Sequence, residues 1–300
     1  MKKSLRAMAA ALLGGTLLLS GCTSQSSVES SVAAEPVKAE KHIVFLGDSI
    51  TAGYGLDDPT AQAYSVLLTE KLNARDTDAD WREFNYAISG DDSSDLVRRL
   101  ETGRALRLPS ADTIVICIGA NNLLGAYTGY LSDLVGDRDF TEMTDEEIER
   151  LQQELTEQLE NDQNVQAEIE KRVDEGLERL KTDLETIYSW IRERNADADI
   201  YVMNIYNPYR GVTETLPNGT EPMNDFSQNA LDRCNKILAD WEAVHTNLHA
   251  VDLAAAFAAE NPVPIIGADG ASGDDGLYLD PHPNAHGHEI IADLLYNSMQ

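Results

Sequence analysis

Short apolar runs alternate with amphipathic segments along most of this chain. Such runs are typical of the buried strands of a sheet. We expect a strand at each run, and these are Ile43–Leu46, Trp81–Tyr86, Thr113–Ile118, Ile200–Ile205 and Leu248–Val251.

The segments between these runs carry apolar residues three or four positions apart, as an amphipathic helix requires. Strands that alternate with helices favour a parallel sheet, because each helix returns the chain to the start of the next strand. The sequence therefore predicts an α/β fold with three αβα layers, a flavodoxin-like doubly wound parallel sheet of about five strands. The predicted helices are Tyr64–Asn73, Ser93–Thr102, a long one within Thr141–Arg194, Asp225–His245, and one after Pro283-Asn284 that ends near Asn297.

Two regions depart from this alternation. Residues 137–185 hold 18 acidic and 6 basic residues, with apolar positions at helical spacing from Ile148 to Leu159. We interpret them as an acidic helical insertion with a solvated face, and a lid or partner-binding element is the alternative. Residues 261–279 are rich in Gly, Asp and Pro and predict a long loop, which often carries function.

The first residues have the pattern of a bacterial secretion signal. Lys2, Lys3 and Arg6 precede an apolar segment that is too short to span a bilayer as a mature helix. This segment ends in Leu-Ser-Gly-Cys, which resembles a lipobox with Cys22 as the lipidated residue. An ordinary signal peptide with an incidental cysteine is the alternative. We expect a lipoprotein signal at 1–21, a flexible tether at 22–41, a catalytic domain at 42–300, and an extracytoplasmic, membrane-anchored location.

The charge argues against nucleic acid as a partner, and the cysteine content argues against a disulfide framework. The formal net charge is -29, from 52 acidic and 23 basic residues, so nucleic acid would be repelled. Beyond Cys22 the chain has Cys117, inside an apolar run, and Cys234, in a predicted helix. Two cysteines so far apart provide no disulfide framework, and we expect both to be buried thiols.

Ser49 is the first candidate for chemistry. It follows the apolar run at 43–46 within Gly-Asp-Ser, and this places it at the carboxyl end of a strand, where open α/β sheets bind ligands. A serine nucleophile needs a base, an orienting group and donors for the oxyanion. The chain supplies candidates for these roles at Gly90, Asn121, Asp280 and His282.

Four short blocks together resemble the SGNH/GDSL hydrolase family. They are Gly47-Asp48-Ser49, Asn85-Tyr86-Ala87-Ile88-Ser89-Gly90, Gly119-Ala120-Asn121-Asn122 and His282-Pro283-Asn284. Each block alone is common by chance, but their order and their positions at strand or helix ends cover nearly the whole domain. The resemblance implies a serine esterase or lipase on a three-layer αβα fold.

The resemblance also implies a role for each site residue. Ser49 would attack the acyl carbon, and His282 would take its proton and return it to the leaving alcohol. The backbone N–H groups of Ser49 and Gly90 and the side-chain amide of Asn121 would stabilise the oxyanion. Gly90 lacks a Cβ, which lets its backbone N–H approach the substrate.

Two positions depart from the family pattern. Asn122 stands where the family usually has aspartate, and we expect it to brace its turn. The orienting aspartate usually lies three residues before the histidine, where this chain has Leu279. Asp280 lies two residues before His282, and alternate residues of an extended segment point the same way. Asp274, Asp275, or a dyad oriented by a backbone carbonyl are the alternatives.

A metal site is a further interpretation of the histidines. His282 and His286 are four residues apart, a spacing that zinc sites use, and His288 is close by. No third type of ligand is evident, and a metal would leave the predicted oxyanion donors without a purpose. We therefore predict no metal and no cofactor, and interpret His286 and His288 as exposed or capping residues.

The expected function is hydrolysis of carboxylic esters or thioesters at the outer face of a bacterial membrane, through an acyl-enzyme on Ser49. Lipid acyl esters, acetylated glycans and small esters all stay open as substrates, and so does the oligomeric state. The competing interpretation is a non-catalytic solute-binding or adhesion lipoprotein that uses the same cleft. Such a module does not need Ser49, Asn121 and His282 together.

Overall fold

The computed structural model describes residues 38–135, 162–208, 221–266 and 280–300, with isolated positions at 144, 146–147, 150, 153–154 and 210. Five parallel strands form the central sheet in the order β2-β1-β3-β4-β5. This order is that of the flavodoxin-like doubly wound fold, so the predicted fold class is confirmed. The strands are β1 (Ala39–Gly47), β2 (Ala79–Asn85), β3 (Thr113–Cys117), β4 (Asp199–Met203) and β5 (Leu248–Val251).

Helices cover both faces of the sheet. In the described residues they are α1 (Ser49–Ala52), α2 (Pro59–Gln62), α3 (Tyr64–Arg75), α4 (Ser93–Glu101), α5 (Ala120–Val135), α6 (Gln163–Arg194), α7 (Glu221–Val244), α8 (Leu253–Ala259) and α9 (Ala285–Ser298). A short 3-10 helix lies at Leu108–Ser110.

Two apolar cores lie on opposite faces of the sheet. Val44 and Leu46 of β1 pack into the core formed with α4, α5, α6 and α7. Ile43 and Phe45 pack into the core formed with α3, α8 and α9. Successive side chains of a strand point to opposite faces, so a strand buried on both sides is apolar without interruption. The uninterrupted apolar runs of the sequence therefore mark the strands of the sheet.

The sequence predicts a solvated acidic insertion at 137–185, but the later part of this region forms helix α6, which packs into the core. Residues 163–185 belong to α6, and its apolar positions form one fully buried stripe that faces the sheet. The acidic side chains occupy the other faces of the helix, so its high charge coexists with a core role. The positions from Ile148 to Leu159 lie outside the described residues. The stripe consists of Val165, Ile169, Val173, Leu177, Leu180, Leu184, Ile187 and Ile191.

Asn122 braces the start of α5 against two other helices. Its side chain is buried, and its Nδ2 donates to the Ser93 hydroxyl at 2.7 Å and to the Gly176 carbonyl at 3.3 Å. The Ser93 hydroxyl donates in turn to Asp183 at 2.7 Å. A Cβ at Gly176 would lie 2.3 Å from the Asn122 carbonyl oxygen, so α6 can approach only with glycine there. The expected bracing by Asn122 is thus confirmed.

A two-stranded antiparallel ladder lies outside the main sheet. Strand β6 (Ile265–Ile266) pairs with β7 (Asp280–Pro283), and the residues between them, 267–279, lie outside the described part. The sequence analysis expects a loop through 279 and no strand at either position. The ladder holds Asp280 and His282 in an extended segment, which is the backbone geometry that the sequence analysis expects for this pair.

The described residues begin close to the predicted domain boundary. Strand β1 starts at Ala39, so the last three residues of the predicted tether pair with β2 instead. The signal and Cys22 lie outside the described residues. In the described part no helix has the length and apolar character needed to cross a bilayer. Cys117 and Cys234 are free and buried, as expected.

Candidate active site

Ser49 lies at the carboxyl end of β1, between β2 and β3, where the strand order reverses. Glycine is required before it, because a Cβ at Gly47 would lie 2.4 Å from the Cys117 carbonyl oxygen of β3. The Asp48 carboxylate then caps α1 by accepting from the Ile50 N–H at 3.0 Å. Ser49 is thereby the first residue of α1, at the edge where doubly wound folds bind ligands.

A chain of contacts runs from Ser49 to His282 and on to Asp280. The Ser49 hydroxyl lies 2.7 Å from His282 Nε2. His282 Nδ1 contacts Asp280 Oδ1, and the same oxygen accepts from the His282 backbone N–H at 3.0 Å. One carboxylate oxygen thus holds both the ring and the backbone of His282. The structure brings these three predicted residues together, whereas Asp274 and Asp275 lie outside the described residues.

Neighbouring groups fix the segment that carries His282. The Tyr206 hydroxyl donates to the Pro281 carbonyl at 2.5 Å, and the Tyr54 ring lies 4.6 Å from the imidazole. Asn284 caps α9 through the Gly287 N–H at 2.9 Å. The segment that carries His282 is therefore held both before and after the histidine in sequence.

Two more predicted residues lie at this edge, one at the start of α5 and one in the turn before α4. Asn121 is in the first turn of α5, and its Nδ2 donates to the Asp91 carbonyl at 2.8 Å. Gly90 immediately precedes Asp91 and has a φ of 89°, a left-handed conformation that favours glycine. Apart from Gly90 and its two chain neighbours, no described residue has an atom within 4 Å of where a Cβ of Gly90 would be, so this side of the turn is open.

The Asp48 carboxyl is almost fully buried beneath the candidate nucleophile. Burial is the main reason why its pKa rises to about 7, and the N–H of Ile50 opposes that rise. Its Oδ2 has no hydrogen-bond partner among the described residues. Its hydrogen bond to the Ile50 N–H makes this carboxyl the cap of the helix that begins at Ser49. No sequence pattern predicts this role of Asp48, which depends on the burial of the strand end.

His288 is buried, which corrects the expectation that it is exposed or capping. Its Nδ1 accepts from the Tyr64 N–H at 3.2 Å, and its ring stacks on Tyr64. Burial, helped by nearby His282, lowers its pKa to about 4, so the ring is neutral near pH 7. The cause is the inward face of α9, which packs against α3. His286 is exposed and faces Glu289 at 3.3 Å.

Metal-binding geometry is not found in the described part of the chain. No three His, Cys, Asp or Glu side chains there lie close enough together to hold one ion. His282 contacts Ser49 and Asp280, while His286 contacts carboxylates of α9 and of the segment after α8.

An apolar cleft opens beside Ser49. Among the residues that the structure describes, its polar lining consists of Asp48, Ser49, Asn121 and His282. Asn235 shapes one wall, because its side chain exchanges two hydrogen bonds of 2.8 Å with the backbone of Ile205. The rest of the lining is Ile50, Ala120, Leu123, Leu124, Ile205, Tyr206, Pro208, Ala230, Leu231 and Pro281.

Known proteins resemble this chain in sequence and in fold. An uncharacterized protein of Bacillus subtilis, YpmR, is 25% identical over 298 residues, which cover 95% of this chain and 92% of that protein. Phospholipase A1 from Streptomyces albidoflavus has a TM-score of 0.56 at 20% identity, over 87% of this chain and all of that one. An extracellular lipase from Streptomyces rimosus also has a TM-score of 0.56, at 18% identity, over 86% and 99% of the two chains.

The two solved structures share the fold of this chain. At 18% and 20% sequence identity they show the fold alone. A family model gives the stronger result, because it matches residues 45–290 and so spans every element that contributes to the site. The matched stretch begins within β1, just before Ser49, and ends within α9, just after His282. The chain therefore belongs to the GDSL-like lipase/acylhydrolase family, a family of hydrolases.

Proposed function

We propose that this protein is a serine esterase that hydrolyses carboxylic esters through an acyl-enzyme on Ser49. The observation that carries the proposal is the chain of contacts from Ser49 through His282 to Asp280, at the mouth of an apolar cleft. Family membership supports ester hydrolysis.

The reaction proceeds in two steps with balanced proton transfers. Ser49 Oγ attacks the acyl carbon while His282 Nε2 takes the hydroxyl proton, and the C–O bond to the alcohol breaks as that proton passes to the leaving oxygen. Water then attacks the acyl-enzyme, gives a proton to His282, and releases the acid as Ser49 recovers its proton. Asp280 holds the imidazole in the tautomer that accepts from Ser49 and stabilises the imidazolium.

Three donors would stabilise the tetrahedral oxyanion. They are the backbone N–H groups of Ser49 and Gly90 and one hydrogen of the Asn121 amide. The open side of the Gly90 turn supports this role, because a substrate oxygen can approach there without meeting a side chain.

The lining of the cleft favours substrates with an apolar acyl group. Among the described residues that line it, the side chains beyond the groups that perform the chemistry are hydrocarbon or aromatic, and burial of an acyl chain against them is stabilising by about 25 cal/mol per Å². An acetylated glycan would place hydroxyl groups against the same wall and leave them without partners. The proposal therefore places the acyl chain, rather than a sugar, in this cleft. A thioester carries the same acyl group and is an equally suitable substrate.

The location proposed for this activity is the outer face of a bacterial membrane. It rests on the sequence of residues 1–22, a basic start and an apolar segment before Leu-Ser-Gly-Cys. Lipid on Cys22 would anchor the protein, and the tether would hold the domain off the surface.

Ser49→Ala is expected to abolish ester hydrolysis, because it removes the nucleophile and very little buried volume. Wild-type protein and variant should be assayed on p-nitrophenyl octanoate and p-nitrophenyl acetate. The wild-type kcat/KM should be higher for octanoate, and the variant should fall by about 10⁴-fold or more on both.

The matched control is Ser298→Ala, an exposed hydroxyl on α9 that donates to the Leu294 carbonyl. It should keep wild-type rates. If a folded Ser49→Ala protein still hydrolyses the esters, Ser49 is not the nucleophile. If the wild-type protein is inactive, the non-catalytic binding module is favoured instead.

Asp280→Asn is expected to lower kcat by about two to four orders of magnitude, because the amide favours the wrong tautomer of His282 and does not stabilise the imidazolium. Asp293→Asn is the control, since Asp293 lies on the surface of α9 and pairs with Lys71. Steady-state kinetics on p-nitrophenyl octanoate measures both. An unchanged rate in Asp280→Asn would pass the orienting role to another group and leave a dyad of Ser49 and His282.

Cys22→Ser is expected to release the protein from membranes, because it removes the proposed lipid attachment site. Fractionation of a bacterial host that expresses the full chain should move the protein from the membrane pellet to the soluble fraction. Ser24→Ala, two residues away, should leave it in the pellet. If the Cys22→Ser protein stays in the pellet although its signal has been cleaved, something other than Cys22 anchors it, and the proposed anchor is wrong.

A further inference from the structure

We propose that Arg99 is a positioning residue for the oxyanion hole. It acts through Asp91 to hold the Asn121 amide and the Gly90 turn in place. This inference rests on the proposed esterase function. It concerns a residue on α4 that does not line the cleft.

The first step is an ion pair of high geometric specificity. The Nε and Nη2 groups of Arg99 donate to the two carboxylate oxygens of Asp91, one to each. The side chains are 18% and 8% exposed, so water competes little for either partner. A paired, two-point contact between a guanidinium and a carboxylate fixes orientation as well as distance. Asp91 is therefore held in one position relative to α4.

The second step links Asp91 to the oxyanion donor. The Asp91 carbonyl accepts from Asn121 Nδ2 at 2.8 Å. A side-chain amide nitrogen carries two hydrogens, so this bond uses one and leaves the other to point away at a fixed angle. It also fixes which way the amide faces, because the oxygen of Asn121 could not donate to a carbonyl. A shift of the Asp91 backbone would therefore rotate the Asn121 amide and turn its second hydrogen away from the oxyanion.

The third step concerns Gly90, which shares a peptide bond with Asp91. The turn is closed by the Asp91 N–H, which donates to the Ile88 carbonyl at 3.2 Å, and the Ile88 N–H donates to Gly47 at 3.1 Å. Gly90 has no side chain of its own to hold it. Two of the three proposed donors thus depend on the position of Asp91, and the third, Ser49, belongs to a different element.

The attachment of α4 to the fold does not depend on Arg99. Leu96 and Leu100 of this helix are each 1% exposed in the core, and the bridge from Asn122 holds its first residue, Ser93. Loss of the guanidinium should therefore loosen the Asp91 turn while the helix stays packed. This separates a positioning role from a general structural one.

Arg98, the adjacent residue, provides the matched control. It has the same chemistry but is exposed, and it pairs with Asp95 on its own helix. Arg98→Ala removes an arginine from α4 without touching the Asp91 turn. Arg99→Lys provides the conservative variant, because a lysine keeps the charge but cannot form the two-point contact.

The experiment compares Arg99→Ala, Arg99→Lys and Arg98→Ala with the wild-type protein on p-nitrophenyl octanoate. Complete loss of an oxyanion donor commonly costs 10²- to 10³-fold in kcat, and we expect displacement in Arg99→Ala to cost about 10- to 100-fold. KM should stay within about twofold, since the acyl chain binds in the cleft. Arg99→Lys should recover part of the loss, and Arg98→Ala should match the wild type.

A trifluoromethyl ketone with an octyl chain provides a second readout, because its adduct with Ser49 carries an oxyanion. Its affinity should fall in Arg99→Ala by about the same factor as kcat, which a loss of general stability would not produce in a protein with an unchanged Tm. If Arg99→Ala does not fold, the same comparison is made with Arg99→Lys.

The inference is overturned if a folded Arg99 variant keeps the wild-type kcat, or if KM rises while kcat and inhibitor affinity hold. It is also overturned if Arg98→Ala loses as much as Arg99→Ala. An active wild-type enzyme with unaffected Arg99 variants defeats this inference alone. A wild-type protein that neither hydrolyses esters nor binds the ketone defeats the proposed function as well.

Discussion

The hydrogen bond between Ser49 and His282 joins two positions that are 233 residues apart. It forms because β1 lies near the middle of the sheet and α9 packs on one of its faces, which brings the last segment of the chain back to the first strand. Every other feature of the site depends on this meeting. The cap by Asp48, the contact with Asp280 and the apolar cleft are useful only if the serine and the histidine stay within hydrogen-bond distance.

The sequence predicted the fold well, for a physical reason. A parallel strand buried on both faces must be apolar without interruption, and the chain must turn sharply where such a strand ends. Gly47 ends one such strand and Ser49 follows it, while Asn121 follows another strand. The four blocks could therefore be found by their positions at strand ends, and the structure brings Ser49, Asp280 and His282 together as the pattern implied.

Other features could not be predicted, because they depend on contacts between distant segments. The charge of 137–185 concealed the buried stripe of α6, since acidic residues dominate its composition while its apolar positions determine its packing. The Asp-Pro-His-Pro sequence of β7 has no apolar alternation, and it forms a strand only by pairing with Ile265 and Ile266. His288 is buried by α3, and no local pattern marks it. The ion pair between Arg99 and Asp91 likewise could not be predicted, because it depends on how the turn before α4 folds against that helix.

The most direct test is a structure of the protein after reaction with a fluorophosphonate that carries an octyl chain. The adduct leaves a phosphoryl oxygen where the oxyanion would form. We predict phosphorus on Ser49 Oγ, with that oxygen about 2.7 to 3.1 Å from the Ser49 and Gly90 nitrogens and from Asn121 Nδ2, and the octyl chain in the apolar cleft. Phosphorus on another residue, or an oxygen that faces solvent away from these donors, would contradict the assignment of the site.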